Sequence, residues 1–231
     1  MLYVTGDTHG DLSRFSDPRL RKLKKGDTLI ICGDFGFVWD GTPEEEKRLK
    51  KLGNKRYNIC FLDGTHENFD LLKQYKTSEW NGGKVQRISG NLYHLCRGQL
   101  YEIDGLKVFA MGGGESPDFD IRMESETWSR AEIPTKKELL DAASVVDRSG
   151  GKIDIIVTHE PPLKLKGFLL LKENKETLRV TGLNTFFEEM SSFCKFRRWF
   201  FGSLHEDKFI SSCHVAVFQN IVCAHTGEPL R

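Results

Sequence analysis

At 231 residues, with 39% hydrophobic and 29% charged residues, the chain is long enough to bury a full core as one domain, and its composition excludes a disordered or fibrous protein. Its 34 Lys and Arg against 33 Asp and Glu leave a net charge of +1, so no global field favours long duplex DNA or an anionic membrane, and phosphate recognition has to be local. No stretch nears the roughly 18–20 apolar residues of a membrane span, and residues 1–6 lack the basic lead and cleavage site of a secretory leader, so a cytoplasmic location is expected.

In chain order, apolar runs alternate with amphipathic segments: residues 1–6 then 12–23, 27–32 then 43–52, and 57–62 then 69–75. Such alternation predicts βαβ units and a mostly parallel sheet. From Lys84 the pattern turns antiparallel, and residues 99–103 and 106–111, separated by Asp104-Gly105, read as a hairpin. Residues 112–134 are rich in Gly, Ser and acidic groups and read as a loop or lid insertion. A helix follows over 135–146, a strand over 153–157, a helix over 182–190, and short strands over 198–201, 209–213, 215–218 and 221–224. No repeat or linker divides residues 1–231, so a single domain is expected. The six cysteines, Cys32, Cys60, Cys96, Cys194, Cys213 and Cys223, form no Cys-x-x-Cys pair and read as free thiols.

The chemistry-bearing residues stand where apolar runs end. Residues 4–6 lead into Asp7-Thr8-His9-Gly10, 30–32 into Gly33-Asp34, 61–63 into Gly64-Thr65-His66-Glu67, 156–158 into His159, and 200–202 into Ser203-Leu204-His205. Ligands of α/β sheets collect at the carboxyl ends of strands, so these five segments can meet at one edge. Carboxylates mixed with imidazoles favour a divalent transition metal (Mn, Fe, Zn or Ni) over the all-oxygen shells of Ca²⁺ and Mg²⁺. Asn68, ahead of an apolar helical stretch, reads as an N-cap, and the charge run 44–51 as a solvated helix face. Arg122 is a weak candidate for binding substrate phosphate, as is Arg97.

The order Asp7-x-His9, Gly33-Asp34, Gly64-x-His66-Glu67, His159, Gly202-x-x-His205 resembles the calcineurin-like metallophosphoesterases, whose pattern runs D-x-H, G-D-x-x-D, G-N-H-[ED], H, G-H-x-H. The resemblance implies a four-layer α/β/β/α sandwich, two mixed sheets flanked by helices. It implies metal-dependent hydrolysis of a phosphate monoester or diester, with a phosphorylated small molecule or nucleotide as substrate. Asp7, His9, Asp34 and His205 match the ligands of the first metal, and Asp34 bridges to a second, which would also use His159 and the positions held by Thr65 and Ser203. His66 matches the residue that protonates the leaving oxygen or steadies the transition state. In such a site two cations about 3.5–4 Å apart generate the nucleophile and clamp the phosphoryl oxygens.

Three positions depart from that pattern: Thr65 stands for Asn, Ser203 for His, and Phe37 for the second Asp of G-D-x-x-D. The first two degrade the second metal site, and the third removes an orienting partner for His66 that Glu67 or Glu160 would have to replace. A rival reading follows, in which the fold serves as a non-catalytic interaction or scaffold module.

Overall fold

The computed structural model describes residues 1–116, 118–172 and 180–231. The chain runs β1 (Leu2–Thr5), β2 (Thr28–Ile31), α1 (Pro43–Gly53), β3 (Asn58–Phe61), α2 (Phe69–Leu72), β4 (Thr77–Trp80), β5 (Gly83–Ser89), β6 (Leu92–Leu95), β7 (Gln99–Ile103) and β8 (Leu106–Met111). It continues α3 (Phe119–Glu124), α4 (Lys136–Arg148), β9 (Ile155–Thr158), α5 (Leu163–Lys172), α6 (Gly182–Phe193), β10 (Arg198–Phe201), β11 (Lys208–Phe209), β12 (His214–Ala216) and β13 (Val222–Cys223).

Two mixed sheets result. The first has the order β13-β1-β2-β3-β6-β5-β4, with β1, β2, β3 and β6 parallel and its outer strands antiparallel. The second has the order β11-β12-β10-β9-β8-β7, with β12, β10, β9 and β8 parallel. Successive side chains on a strand point to opposite faces, and both faces here are buried. Val4, Ile30, Ile155 and Phe200 meet in a core between the sheets. Leu29 and Ile31 of β2 pack outward beneath Leu49 and Leu52 of α1. Ile156, Trp199 and Phe201 pack outward beneath Val146 of α4 and Phe187 of α6. Each such fully buried side chain contributes about 1.5–3 kcal/mol. This is the helix–sheet–sheet–helix architecture expected from the sequence, and no helix among the described residues is long and apolar enough to cross a membrane.

Local departures have local causes. Residues 12–23 form two 3-10 turns, Leu12–Ser16 and Pro18–Lys22, because Pro18 holds Asp17 extended and interrupts the helix. The amphipathic stretch from residue 69 keeps only the four residues of α2, capped by Asn68 as expected. The antiparallel region begins earlier than Lys84: β4 and β5 form a hairpin through Asn81-Gly82, both at positive φ, just as β7 and β8 do through Asp104-Gly105. Helix α5 has no counterpart in the sequence reading. The strand expected over 209–213 is only Lys208–Phe209. In α1 the charged face is solvated except at Glu45, which is buried and accepts from the N–H groups of Trp39 and Asp40.

Residues 112–134, apart from Pro117, which lies outside the described residues, are folded onto the sheets around one carboxylate. Glu132 is fully buried and accepts from Ser116 N and Oγ at 2.8 and 2.7 Å, from Trp128 Nε1 at 2.9 Å and from Arg122 Nη1 at 3.0 Å. Gly113 N donates to the carbonyl of Asp63 at 2.8 Å. Arg97 completes the anchor, donating to Asp63 Oδ2 at 2.8 and 2.5 Å and to the Ala131 carbonyl at 2.8 Å.

Candidate metal centre

All five motif-bearing segments meet at the carboxyl ends of β1, β2, β3, β9 and β10. The loops after β1 and β2 are joined by backbone bonds, with Thr8 N and His9 N both donating to the Asp34 carbonyl at 3.1 and 2.8 Å. His9, Asp34 and His205 adopt left-handed φ of 45°, 38° and 52°, a conformation that costs a side-chain-bearing residue energy and clusters at functional sites. Close approach is made possible by glycine. A Cβ on Gly33 would lie 2.0 Å from His159 Nδ1, and one on Gly202 would lie 2.1 Å from Asp7 Oδ1, so neither position admits a side chain without displacing a site residue.

Asp7 is the hub. It is fully buried, His205 Nε2 lies 3.1 Å from its Oδ2, and His9 Nε2 lies 3.1 Å from the same ring nitrogen. Among the described residues Asp7 Oδ1, which is buried, has no hydrogen-bond partner; His159 Nδ1, at 3.7 Å, is beyond hydrogen-bonding distance. Asp34 Oδ1 accepts from Thr65 N at 2.6 Å and His66 N at 2.8 Å, and its Oδ2 contacts His66 Nδ1 at 2.9 Å. His159 Nε2 stands 3.9 Å from Asp34 Oδ1.

Charge balance follows from these contacts. Burial opposes protonation of His159, but Asp34 and Asp7 outweigh it and push its pKa up to about 10. The charge on His159 in turn overcomes the effect of burial on Asp34 and Asp7 and holds both carboxyls below their ordinary range. The hydrogen bond to Asp7 raises His205, whereas burial lowers His9.

A metal ion fits this donor set. Asp7, His9 and His205 offer ligand atoms within 4.8 Å of one another, as do Asp7, Asp34 and His159. The two groups share Asp7, and the unpartnered Asp7 Oδ1 is the kind of orphaned buried acceptor that a cation satisfies. The mixture of carboxylate and imidazole matches a first-row divalent ion. Thr65 is buried with its Oγ1 3.0 Å from His66 Nδ1, and Ser203 donates its N–H to the His159 carbonyl at 3.1 Å.

Other expected residues sit elsewhere. Arg122 is turned inward, away from the role of a substrate reader: Nη1 donates to the Thr65 carbonyl at 2.9 Å and to Glu132, and Nη2 to the Thr127 carbonyl at 3.0 Å. Arg97 is likewise spent on Asp63 and Glu138. Phe37 packs against Phe15 and Phe35. Neither candidate replacement for its acidic counterpart reaches His66 in the structure: Glu67 accepts from Phe35 N at 2.6 Å, and Glu160 pairs with Lys166 at 2.7 Å. Besides Asp34 on Nδ1, the acidic side chain facing His66 is Asp118, its Oδ2 3.4 Å from His66 Nε2. Beside the candidate ligands, Arg14 donates to the Asp7 carbonyl at 2.8 Å and lies over Phe218, whose ring stacks on His205. Sequence reasoning singled out neither Asp118, Arg14 nor Phe218.

Two mixed sheets packed face to face, with Asp and His side chains that could hold a metal gathered at one edge, define a metallophosphoesterase-type fold. The chain belongs to the calcineurin-like phosphoesterase family, whose model matches residues 1–229. No curated protein matches it. Membership carries the general chemistry of metal-dependent phosphoester hydrolysis.

Proposed function

We propose that this chain hydrolyses a phosphate monoester or diester of a small molecule or nucleotide, using one firmly held divalent transition ion (Mn, Fe, Zn or Ni) and a weakly held second one. The observation that carries this reading is the buried, unpartnered Asp7 Oδ1 amid the converging side chains of Asp7, His9 and His205. Asp7, His9, Asp34 and His205 would hold the first ion; Asp34 and His159, with the Thr65 and Ser203 positions, would hold the second. When bound, the ions polarise the phosphoryl group and supply a nucleophile at neutral pH. The chain's own part is to orient and neutralise. Asp34 is fixed by the N–H groups of Thr65 and His66, and His66, at the rim, is placed to give its proton to the leaving oxygen. The bond between Thr65 Oγ1 and His66 Nδ1 supports a weakened second site, since that hydroxyl is already engaged.

The test is elemental analysis of purified protein for metal per chain, followed by hydrolysis of an aryl phosphomonoester and an aryl phosphodiester with each metal. Metal binding with turnover of either ester is expected. Metal binding without turnover of any phosphoester would favour the interaction-module reading. A chain that takes up no metal would overturn the site.

A further inference from the structure

The segment 112–134 carries a carboxylate to the outer side of His66, and its internal construction fixes that carboxylate in place. Asp118 lies between Ser116 and Arg122, and both of these bond the same buried Glu132. Arg122 also holds the carbonyl of Thr65, the residue before His66. One buried ion pair, Arg122 with Glu132 at 3.0 Å, therefore sets the position of Asp118 and of the backbone entering His66 together. Asp118, its side chain 38% exposed, presents Oδ2 to His66 Nε2 at 3.4 Å, while its Oδ1 has no hydrogen-bond partner among the described residues.

The ring of His66 is thus bracketed by two carboxylates, Asp34 on Nδ1 at 2.9 Å and Asp118 on Nε2 at 3.4 Å. A carboxylate only accepts, so the Asp118 contact calls for a hydrogen on Nε2. The position that would have supplied an acidic neighbour from the Asp34 loop is Phe37, packed in the apolar cluster. We infer that Asp118 is the positioning residue of His66: it accepts from Nε2 on the outer side of the ring and so keeps Nδ1 turned toward Asp34 and the centre, the side on which a leaving oxygen can meet it. The segment 112–134 is then the scaffold of that contact. This rests on the proposed hydrolysis for its purpose, while the contact itself is independent of it.

Two readouts test it on the full chain. The first is the imidazole ¹H–¹⁵N spectrum of metal-free protein, with the His66 ring signals assigned through His66→Gln. A slowly exchanging Nε2 hydrogen is expected in the wild type and is lost in Asp118→Ala; Asp118→Asn, which keeps an acceptor oxygen, retains part of the protection. The second is the kcat of metal-loaded protein on a phenyl and a 4-nitrophenyl ester of the same phosphoryl group. Help with leaving-group protonation matters more for the poorer leaving group, phenol. Asp118→Ala should lower kcat on the phenyl ester by about 10-fold or more, a part of the roughly 10²–10⁴-fold that a positioned acid supplies. It should lower the 4-nitrophenyl rate less, with KM and metal content unchanged. An Nε2 hydrogen equally protected in Asp118→Ala, or equal losses on the two esters, would overturn the inference. If the wild type cleaves neither ester while the Nε2 signal responds as expected, the hydrolytic reading fails and the positioning contact stands.

Discussion

Asp7 sits at the end of β1 with no solvent contact and one oxygen unpaired, an arrangement that a capping or turn residue does not need. Residues of this kind were legible in the sequence because each follows an apolar run and the runs come in a fixed order. Asp118 was not legible, because Asp118, Asp120 and Glu124 are equivalent acids in a segment with no periodicity, and only the folded contact with His66 separates them. Arg122 misleads for the same reason: a guanidinium in a loop beside the site looks available until its buried partner Glu132 is seen. Removing a ligand should act on the metal itself. Asp7→Ala and His205→Ala are each expected to lower metal content to background in elemental analysis. His66→Ala should retain the metal and lose roughly 10²–10⁴-fold in kcat on an aryl phosphoester. If His66→Ala turns over at the wild-type rate, His66 is an ordinary loop histidine.

At the scale of elements, the strands read most clearly were β1, β2, β3, β9 and β10, since burial on both faces leaves near-continuous apolar runs. Strand β4 escaped because Thr77, Ser78 and Glu79 are exposed, so nothing in its pattern marks it apart from the Asn81-Gly82 turn beside it. Helix α5 follows Pro161-Pro162, and its apolar and basic residues interleave without a single clear face. The junction between β3, β6 and the segment 112–134 depends on a cluster whose members lie far apart in the chain, Asp63, His94 and Arg97. Burial alone would raise the Asp63 carboxyl, but Arg97 and the His94 hydrogen bond outweigh it and hold it well below the ordinary range. A carboxyl depressed in the folded state contributes stability that is present above its unfolded value, near pH 4, and is lost as pH falls through the folded value. Urea unfolding of metal-free protein should therefore show stability declining below about pH 4, with a shallower decline in Asp63→Asn. At neutral pH, Asp63→Asn should cost up to about 3–5 kcal/mol, because it takes the buried Arg97 guanidinium's closest carboxylate and leaves it only Glu138 and two backbone carbonyls. Equal stability of the two proteins at neutral pH would mean that the cluster does not hold the segment.

For the whole molecule, the centre ties together strands of both sheets: Asp7 and Asp34 come from the first, and His159 and His205 from the second. A cation held among them binds the folded chain and has no comparable site in the unfolded one, so metal should stabilise the entire fold. At a free metal concentration of about 100 times Kd the linkage amounts to about 2.7 kcal/mol, or roughly 5–11 °C in Tm for a chain of this size. The stoichiometry of that effect separates the two sites. On the proposed assignment the first would retain all its ligands, whereas the second would meet neutral hydroxyls at Thr65 and Ser203, and disturbing even the outer partners of a metal site costs about 10–100-fold in affinity. The protein is therefore expected to purify nearer one ion per chain than two, with a thermal shift that saturates in one tight phase. A second, weak phase should appear only at high metal or with inorganic phosphate, whose oxygens can complete the shell. Thr65→Asn combined with Ser203→His should merge the phases, bring occupancy toward two in titration calorimetry, and raise turnover of an ester that needs both ions. Asp7→Ala should abolish the tight phase, because Asp7 is a ligand of the first ion on the proposed assignment. Two tight ions in the unaltered chain would show that Thr65, Ser203 or another side chain completes the second site, and the loss of two ligands would then have no energetic consequence.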